Sequence, residues 1–161
     1  MVNVIESLFE EKKISRISEL EKDRYTTFLE NSYKDNLEHC KFSIEKFPRW
    51  SIISGYYSMH DITKLFVAMK FNIKVDFEVH STTIKILRSI INNKELIGLM
   101  EEGYNKFKSL ASDLDEAKKE RVKVQYYTKT YFMKKEYENK AKTFLDSIVL
   151  IYLEKIEELL K

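Results

Sequence analysis

The segment Trp50–Phe71 most constrains what this chain can fold into. It carries Ile52, Ile53, Tyr56, Tyr57, Met59, Ile62, Leu65, Phe66, Val67 and Met69. At about 100° per residue these positions cover well over half of a helix circumference, and such a helix is buried on most of its surface. Other helices must pack around it, or a second subunit must cover part of it. Turns and strand ends draw on glycine and proline, and the chain has Gly 3 and Pro 1. With 34 % charged residues, this scarcity predicts long helices joined by short loops. A chain of 161 residues is most simply one domain, large enough to bury a core without metals or disulfides. The expected fold is all-α, an up-and-down helical bundle with a four-helix core plus short extra helices, forming a single domain over residues 1–161.

Val4, Ile5, Leu8 and Phe9 predict a short amphipathic helix over residues 1–11. A longer helix is expected from about Ser18 to Lys46, with Ser18 and Glu21 spaced as a capping box. Pro48 suits a first helical turn and not an interior. The central helix then runs over about Arg49–Phe71. Residues 72–79 alternate as Ile73, Val75, Phe77, Val79, which fits a short strand. No partner strand is evident, and a lone strand is unstable, so the segment is expected to be an extended loop. Ser81 is read as the cap of a helix carrying Ile84, Ile86, Leu87, Ile90 and Ile91, with His80 assisting. A further helix over 94–116 is expected to be interrupted near Gly103. Helices over about Asp115–Met133 and Glu136–Lys161 complete the chain. The last has an apolar stripe of Ala141, Phe144, Leu145, Ile148, Tyr152, Ile156 and Leu159.

The chemistry classes narrow quickly. The lone Cys40 excludes an intrachain disulfide and a cysteine-based zinc site. It falls in register with Tyr25, Leu29, Tyr33, Leu37 and Ile44, which marks it as a packing thiol. His39, His60 and His80 form no helical metal-binding pair, so no metal and no cofactor is expected. Glycine-rich phosphate loops and a nucleophile elbow are absent from the sequence. Residues 1–13 lack a basic start followed by an apolar run, so no secretory leader is expected. Phe144–Leu153, the longest apolar-rich stretch, is too short to span a bilayer. A cytoplasmic protein without a membrane partner is the expectation.

Two features invite function. His60 lies at the helical angle of Ile53 and Val67, where a histidine is either a hydrogen-bonded core residue or part of a cleft. Residues 118–142 carry Lys118, Lys119, Arg121, Lys123, Lys129, Lys134, Lys135, Lys140 and Lys142 against Glu120, Glu136 and Glu138. Tyr126, Tyr127, Tyr131, Phe132 and Tyr137 are interleaved. Bases can stack on such rings while cations follow the phosphates. The same lysines also fit an ordinary solvated face, because Val124, Tyr127 and Tyr131 make one buried stripe. The formal net charge is +2, so a nucleic-acid surface would have to be a local patch.

Three stretches together resemble the HEPN family (higher eukaryotes and prokaryotes nucleotide-binding domain), small prokaryotic or archaeal type. They are W-S-I-I-S-G-Y-Y-S-M-H at Trp50–His60, H-S-T-T-I-K-I-L at His80–Leu87 and R-V-K-V-Q-Y-Y at Arg121–Tyr127. The likeness covers about residues 20–160. It implies an up-and-down helical bundle, commonly a homodimer. Members are metal-independent endoribonucleases, partners of small nucleotidyltransferases in toxin–antitoxin pairs, or non-catalytic RNA- or nucleotide-binding modules. Active members carry an arginine and a histidine separated by four to six residues. The arginine would stabilise phosphorane charge and the histidine would move protons.

Arg121 falls where the family arginine falls. The positions expected to hold the histidine are Tyr126, Tyr127 and Thr128, and no histidine follows Arg121 anywhere. Neutral tyrosine is a poor general base near pH 7. The resemblance therefore implies a module that binds RNA, a nucleotide or a nucleotidyltransferase partner without strong catalysis. Its binding face would include Lys118, Lys119, Lys123 and Lys129. The first alternative is a toxin-like endoribonuclease using Arg121 with Tyr126, Tyr127 or His60. The second is a purely structural dimeric adaptor.

Overall fold

The computed structural model describes residues 3–123 and 126–161, with side chains over 3–110 and 134–161. The architecture is all-α with one small two-stranded antiparallel sheet. In chain order it comprises α1 (Val4–Glu10), β1 (Ile14–Arg16), α2 (Glu19–Ser43), α3 (Pro48–Phe71), β2 (Ile73–Val75), α4 (Val79–Ile90) and α5 (Lys94–Lys123). It ends with α6 (Tyr126–Phe144), which passes through a π-helical turn at Leu145–Val149 into α7 (Leu150–Leu160).

α3 is the axis of the molecule, as its apolar circumference requires. It packs against α2, α5, α6 and α7. Ile52, Tyr56, Met59, Ile62, Leu65, Phe66, Val67 and Ala68 are buried, while Trp50 and Met69 at its two ends are 60 % and 47 % exposed. Proline occupies its first turn, where the missing N–H costs nothing. The α2–α3 pairing is antiparallel and is fastened by polar side chains. Ser51 donates to the Cys40 carbonyl at 2.6 Å, Ser58 to the Tyr33 carbonyl at 2.7 Å, and Ser32 to Asp61 Oδ2 at 2.6 Å. Cys40 is fully buried, as its register predicted.

Gly55 marks the closest approach. A Cβ built there would lie 3.0 Å from Cys40 Sγ and from Val149 Cγ2, and 3.1 Å from Phe144. α2, α3 and the π-helical turn meet at this point. Lower on α3, the Thr63 hydroxyl donates to the Met59 carbonyl at 2.7 Å and lies 2.6 Å from the Tyr152 hydroxyl of α7. Thr63 has a single proton, so Tyr152 is the donor in that second bond.

Five local expectations are corrected. Residues 73–75 form a strand and not a loop, because Ile14–Arg16 supplies the antiparallel partner, in the register Ile14↔Val75, Ser15↔Lys74 and Arg16↔Ile73. Arg16 reinforces the pair by donating to the Phe71 carbonyl at 2.9 Å. Ser18 is the N-cap residue of α2 but makes no side-chain capping bond. Glu21 instead pairs with Lys74 of β2, which removes it from the expected capping box. α4 begins at Val79, with Glu78 as N-cap in the left-handed region at φ 47. His80 and Ser81 therefore lie inside its first turn. α5 runs unbroken through Gly103, whose missing Cβ would sit 2.9 Å from Met59 Cε, so the glycine permits close helix approach. α6 continues through Met133–Glu136, where a break was expected. In the apolar stripe of the last helix Ala141 to Ile156 are buried as expected, and Leu159 is 43 % exposed. Among the described residues no helix is long and apolar enough to cross a membrane.

Candidate functional site

His60 and His80 lie far apart in sequence and meet in space. α3 presents Tyr56, Tyr57 and His60 within one turn, which puts all three toward the start of α4. The short β2 and the bend after it return the chain so that α4 begins against this face. The two imidazole centroids are 4.8 Å apart. Tyr56 OH is 2.8 Å from His80 Nδ1. Tyr104 of α5 stacks on His80 at 5.8 Å and 14°, and Phe107 stacks on Tyr56 at 4.7 Å and 19°. The result is a nest of four aromatic rings around two histidines, Tyr57 included.

The hydrogen bonds assign the protons on His60. Its Nε2 lies 3.3 Å from the Val79 carbonyl and 3.3 Å from Thr83 Oγ1, while the Thr83 hydroxyl donates to that same carbonyl at 2.6 Å. A carbonyl only accepts, so Nε2 carries the hydrogen. Neutral His60 therefore has a bare Nδ1. That atom is buried without a hydrogen-bond partner, 3.8 Å from Asp61 Oδ1. Asp61 is itself held by Ser32, by Asn36 at 3.2 Å and by Lys64 at 3.6 Å. Burial pushes the Asp61 carboxyl up, but the His60 ring, the Ser32 hydroxyl and the Lys64 ammonium together hold it below the usual carboxylate range.

Burial, with the neighbouring His60 ring and the Lys64 ammonium, pushes His80 below the ordinary histidine value. Burial, with the neighbouring Tyr104 and Tyr57, pushes the Tyr56 hydroxyl far above the ordinary phenol value. Both are thus neutral near pH 7. Tyr56 occupies Nδ1 of His80, and Nε2 makes no hydrogen bond among the described residues. His80 is half-buried, in contrast to His60 at 2 % exposure.

An open groove of about 250 Å³ runs beside the nest between α4 and α5. Ser81, Ile84, Lys85 and Arg88 of α4 form one wall, and Glu101, Tyr104, Asn105 and Lys108 of α5 form the other. Arg88 Nε donates to Glu101 at 2.7 Å, which neutralises one cation. The Lys108 ammonium lies 4.4 Å from the centre of the Tyr104 ring, and Lys85 has no carboxylate within salt-bridge distance among the described residues. The groove thus keeps an excess of positive charge next to an aromatic ring. A second open cleft of about 390 Å³ lies between α5 and α6, with Glu102 and Lys106 facing Asn139, Thr143 and Ser147.

Of the residues the sequence singled out, His60 is in the nest, buried and not open to a cleft. The side chains of Lys118, Lys119, Arg121, Lys123, Tyr126, Tyr127 and Lys129 lie outside the described residues. The third histidine, His39, is remote from the nest and lies 2.6 Å from Ser54 Oγ. Among the described residues no group of three or more His, Cys, Asp or Glu could hold a metal ion. Sequence reasoning missed Lys85, Arg88, Tyr104 and Lys108. Their signal was present as spacing, since Ser81, Lys85 and Arg88 recur at one helical face, as do Glu101, Tyr104 or Asn105, and Lys108. What the spacing could not reveal is that the two faces oppose each other. No family model, no curated protein and no solved structure matches the chain.

Proposed function

We propose that this chain is a HEPN-like helical module that binds single-stranded RNA, with the α4–α5 groove as its binding surface. The observation that carries this is the pairing of Lys85 and Lys108 with the Tyr104 ring in one open groove. Cations track phosphates, and an aromatic ring stacks on a base of any identity. Binding without strong cleavage fits the sequence, since no histidine follows Arg121. A homodimer, a nucleotidyltransferase partner and a cytoplasmic location belong to the same proposal and rest on the family resemblance. Sedimentation at micromolar concentration tests the first of these.

Fluorescence anisotropy with a labelled single-stranded oligonucleotide tests the binding. Affinity should fall steeply with salt. A Lys85→Ala, Lys108→Ala double variant should bind roughly tenfold more weakly and lose about two from the salt slope. No measurable affinity for RNA at low salt would overturn the reading and favour a structural adaptor.

One observation favours a second reading, a metal-independent endoribonuclease. His80 is neutral near pH 7 and has an Nε2 unengaged among the described residues, and with Nδ1–H donating to the Tyr56 hydroxyl that nitrogen is the free base a general base requires. RNA incubated with the protein in EDTA would be cleaved, and the cleavage would be lost in His80→Ala. Loss in Arg121→Ala instead would return the chemistry to the family position. Intact RNA throughout would exclude both.

A further inference from the structure

We propose that the His60–His80 pair takes up a single proton, at His60 Nδ1, and that this proton tightens the hold of the adjacent groove on RNA. The inference rests on the RNA-binding reading and names the regulation of that site.

The geometry selects the atom. Neutral His60 already spends its one N–H on the Val79 carbonyl and the Thr83 oxygen. Its free nitrogen is buried, has no partner, and faces the Asp61 carboxylate at 3.8 Å. A proton placed there gains a buried anion at once. The same proton on His80 gains no anion. His80 faces the neutral Tyr56 hydroxyl, the Tyr104 ring and His60 itself. The imidazoles are 4.8 Å apart, so a charge on one opposes a charge on the other.

Among the described residues, four elements bring titratable or polar groups to His60 or to its neighbours. α3 contributes Asp61 and Lys64 with Tyr56 and Tyr57. α4 contributes His80 and the uncharged Thr83. α5 contributes Tyr104, against Tyr56 and His80, with the Lys108 ammonium over its ring. From α2, Ser32 and Asn36 bond Asp61, and the Tyr25 hydroxyl, which burial and the charges of Asp76 and Asp61 push up to about 12, stays neutral. Asp61 is the one carboxylate facing His60 among these groups.

The coupling to RNA follows from charge. Protonation adds a positive charge two rings behind the groove, because Tyr104 of the wall stacks on His80 and the His60 ring lies 4.8 Å from His80, tilted by 41°. A polyanion in the groove favours that charge, and the charge favours the polyanion to the same extent. Asp61 keeps its ordinary negative charge throughout, so the net change at the site is plus one.

The test uses the intact chain and a labelled oligouridylate, whose bases do not titrate in the working range, at constant ionic strength. Wild-type affinity is expected to rise about fivefold between about pH 8 and about pH 6. His60→Gln should bind as wild type at the upper pH and lose the rise. His80→Asn and the remote His39→Gln should keep it. Should His60→Gln fail to fold, nuclear magnetic resonance of the wild-type histidine rings decides the matter. Adding RNA should raise the pH at which His60 titrates and leave His39 unmoved. RNA binding that is flat with pH, or a His60 titration that RNA does not shift, overturns this inference and leaves the RNA-binding reading standing. A wild type that binds RNA at no pH overturns the RNA-binding reading and this inference with it.

Discussion

Gly55 and His60 lie little more than one turn apart on α3, yet their surroundings follow opposite rules. Around Gly55 every contact is dry and close. Cys40, Phe144 and Val149 leave no room for one methyl group, and Ser51 and Ser58 nearby spend their hydroxyls on α2 carbonyls. Around His60 the packing is also tight, but a ring nitrogen is left bare beside a buried carboxylate. Natural interiors pair nearly all their buried polar atoms. The contrast separates a region built to hold three elements together from one built to respond to a proton or a ligand.

The comparison can be broken at its structural end first. Gly55→Ala should cost about 2–3 kcal/mol, because the packed side chains of Cys40, Val149 and Phe144 must shift to admit the Cβ. A urea midpoint unchanged from wild type would mean that the junction is looser than it looks. Thr63→Val should cost about 2 kcal/mol, since it strands the fully buried Tyr152 hydroxyl without an acceptor. Adding Tyr152→Phe to that variant should recover most of the loss, and a thermal melt of the double variant checks this.

Asp61 joins the His60 region to α2, through Ser32 and Asn36. Its carboxyl is held below the usual range, so it stabilises the fold above the unfolded carboxylate value and loses that contribution as pH falls through its lowered native value. Asp61→Asn should therefore cost about 1 kcal/mol near neutrality. The difference from wild type should shrink as pH falls through the lowered native value of Asp61. A difference that persists below that value would show that packing and not charge is at stake. His60→Leu should change stability least, within about 0.5 kcal/mol, because its two hydrogen bonds are long and its bare nitrogen is removed with them. A loss of about 2 kcal/mol or more in a chemical denaturation curve would make the nest a structural element and erase the contrast.

The helices were legible because each one writes its buried face at its own spacing. The stripe of α3, the Cys40 register on α2 and the Ala141–Ile156 stripe all sit where periodicity put them. The β1–β2 pair was not legible. Ile14–Arg16 is three residues long, carries no pattern of its own, and pairs across the whole length of α2 and α3. Ser18 and Glu21 looked like a capping box, but Lys74 lies close enough in space to take Glu21 away. At the candidate site, the helical angle of His60 left a core or a cleft position open, and the structure buries it. The arrival of His80 depended on a chain reversal that no local signal specifies.

The amino-acid order alone determined the helical class, the central place of α3, and the absence of a histidine after Arg121. Those are properties of single segments, read from spacing and residue type. The tertiary structure decided that His60 meets His80, that Tyr104 covers the pair, and that Lys85 and Lys108 line one groove. The physical reason is range. A helix encodes which of its faces is apolar within a few turns, whereas the face it meets is selected by weak contacts summed over the whole core.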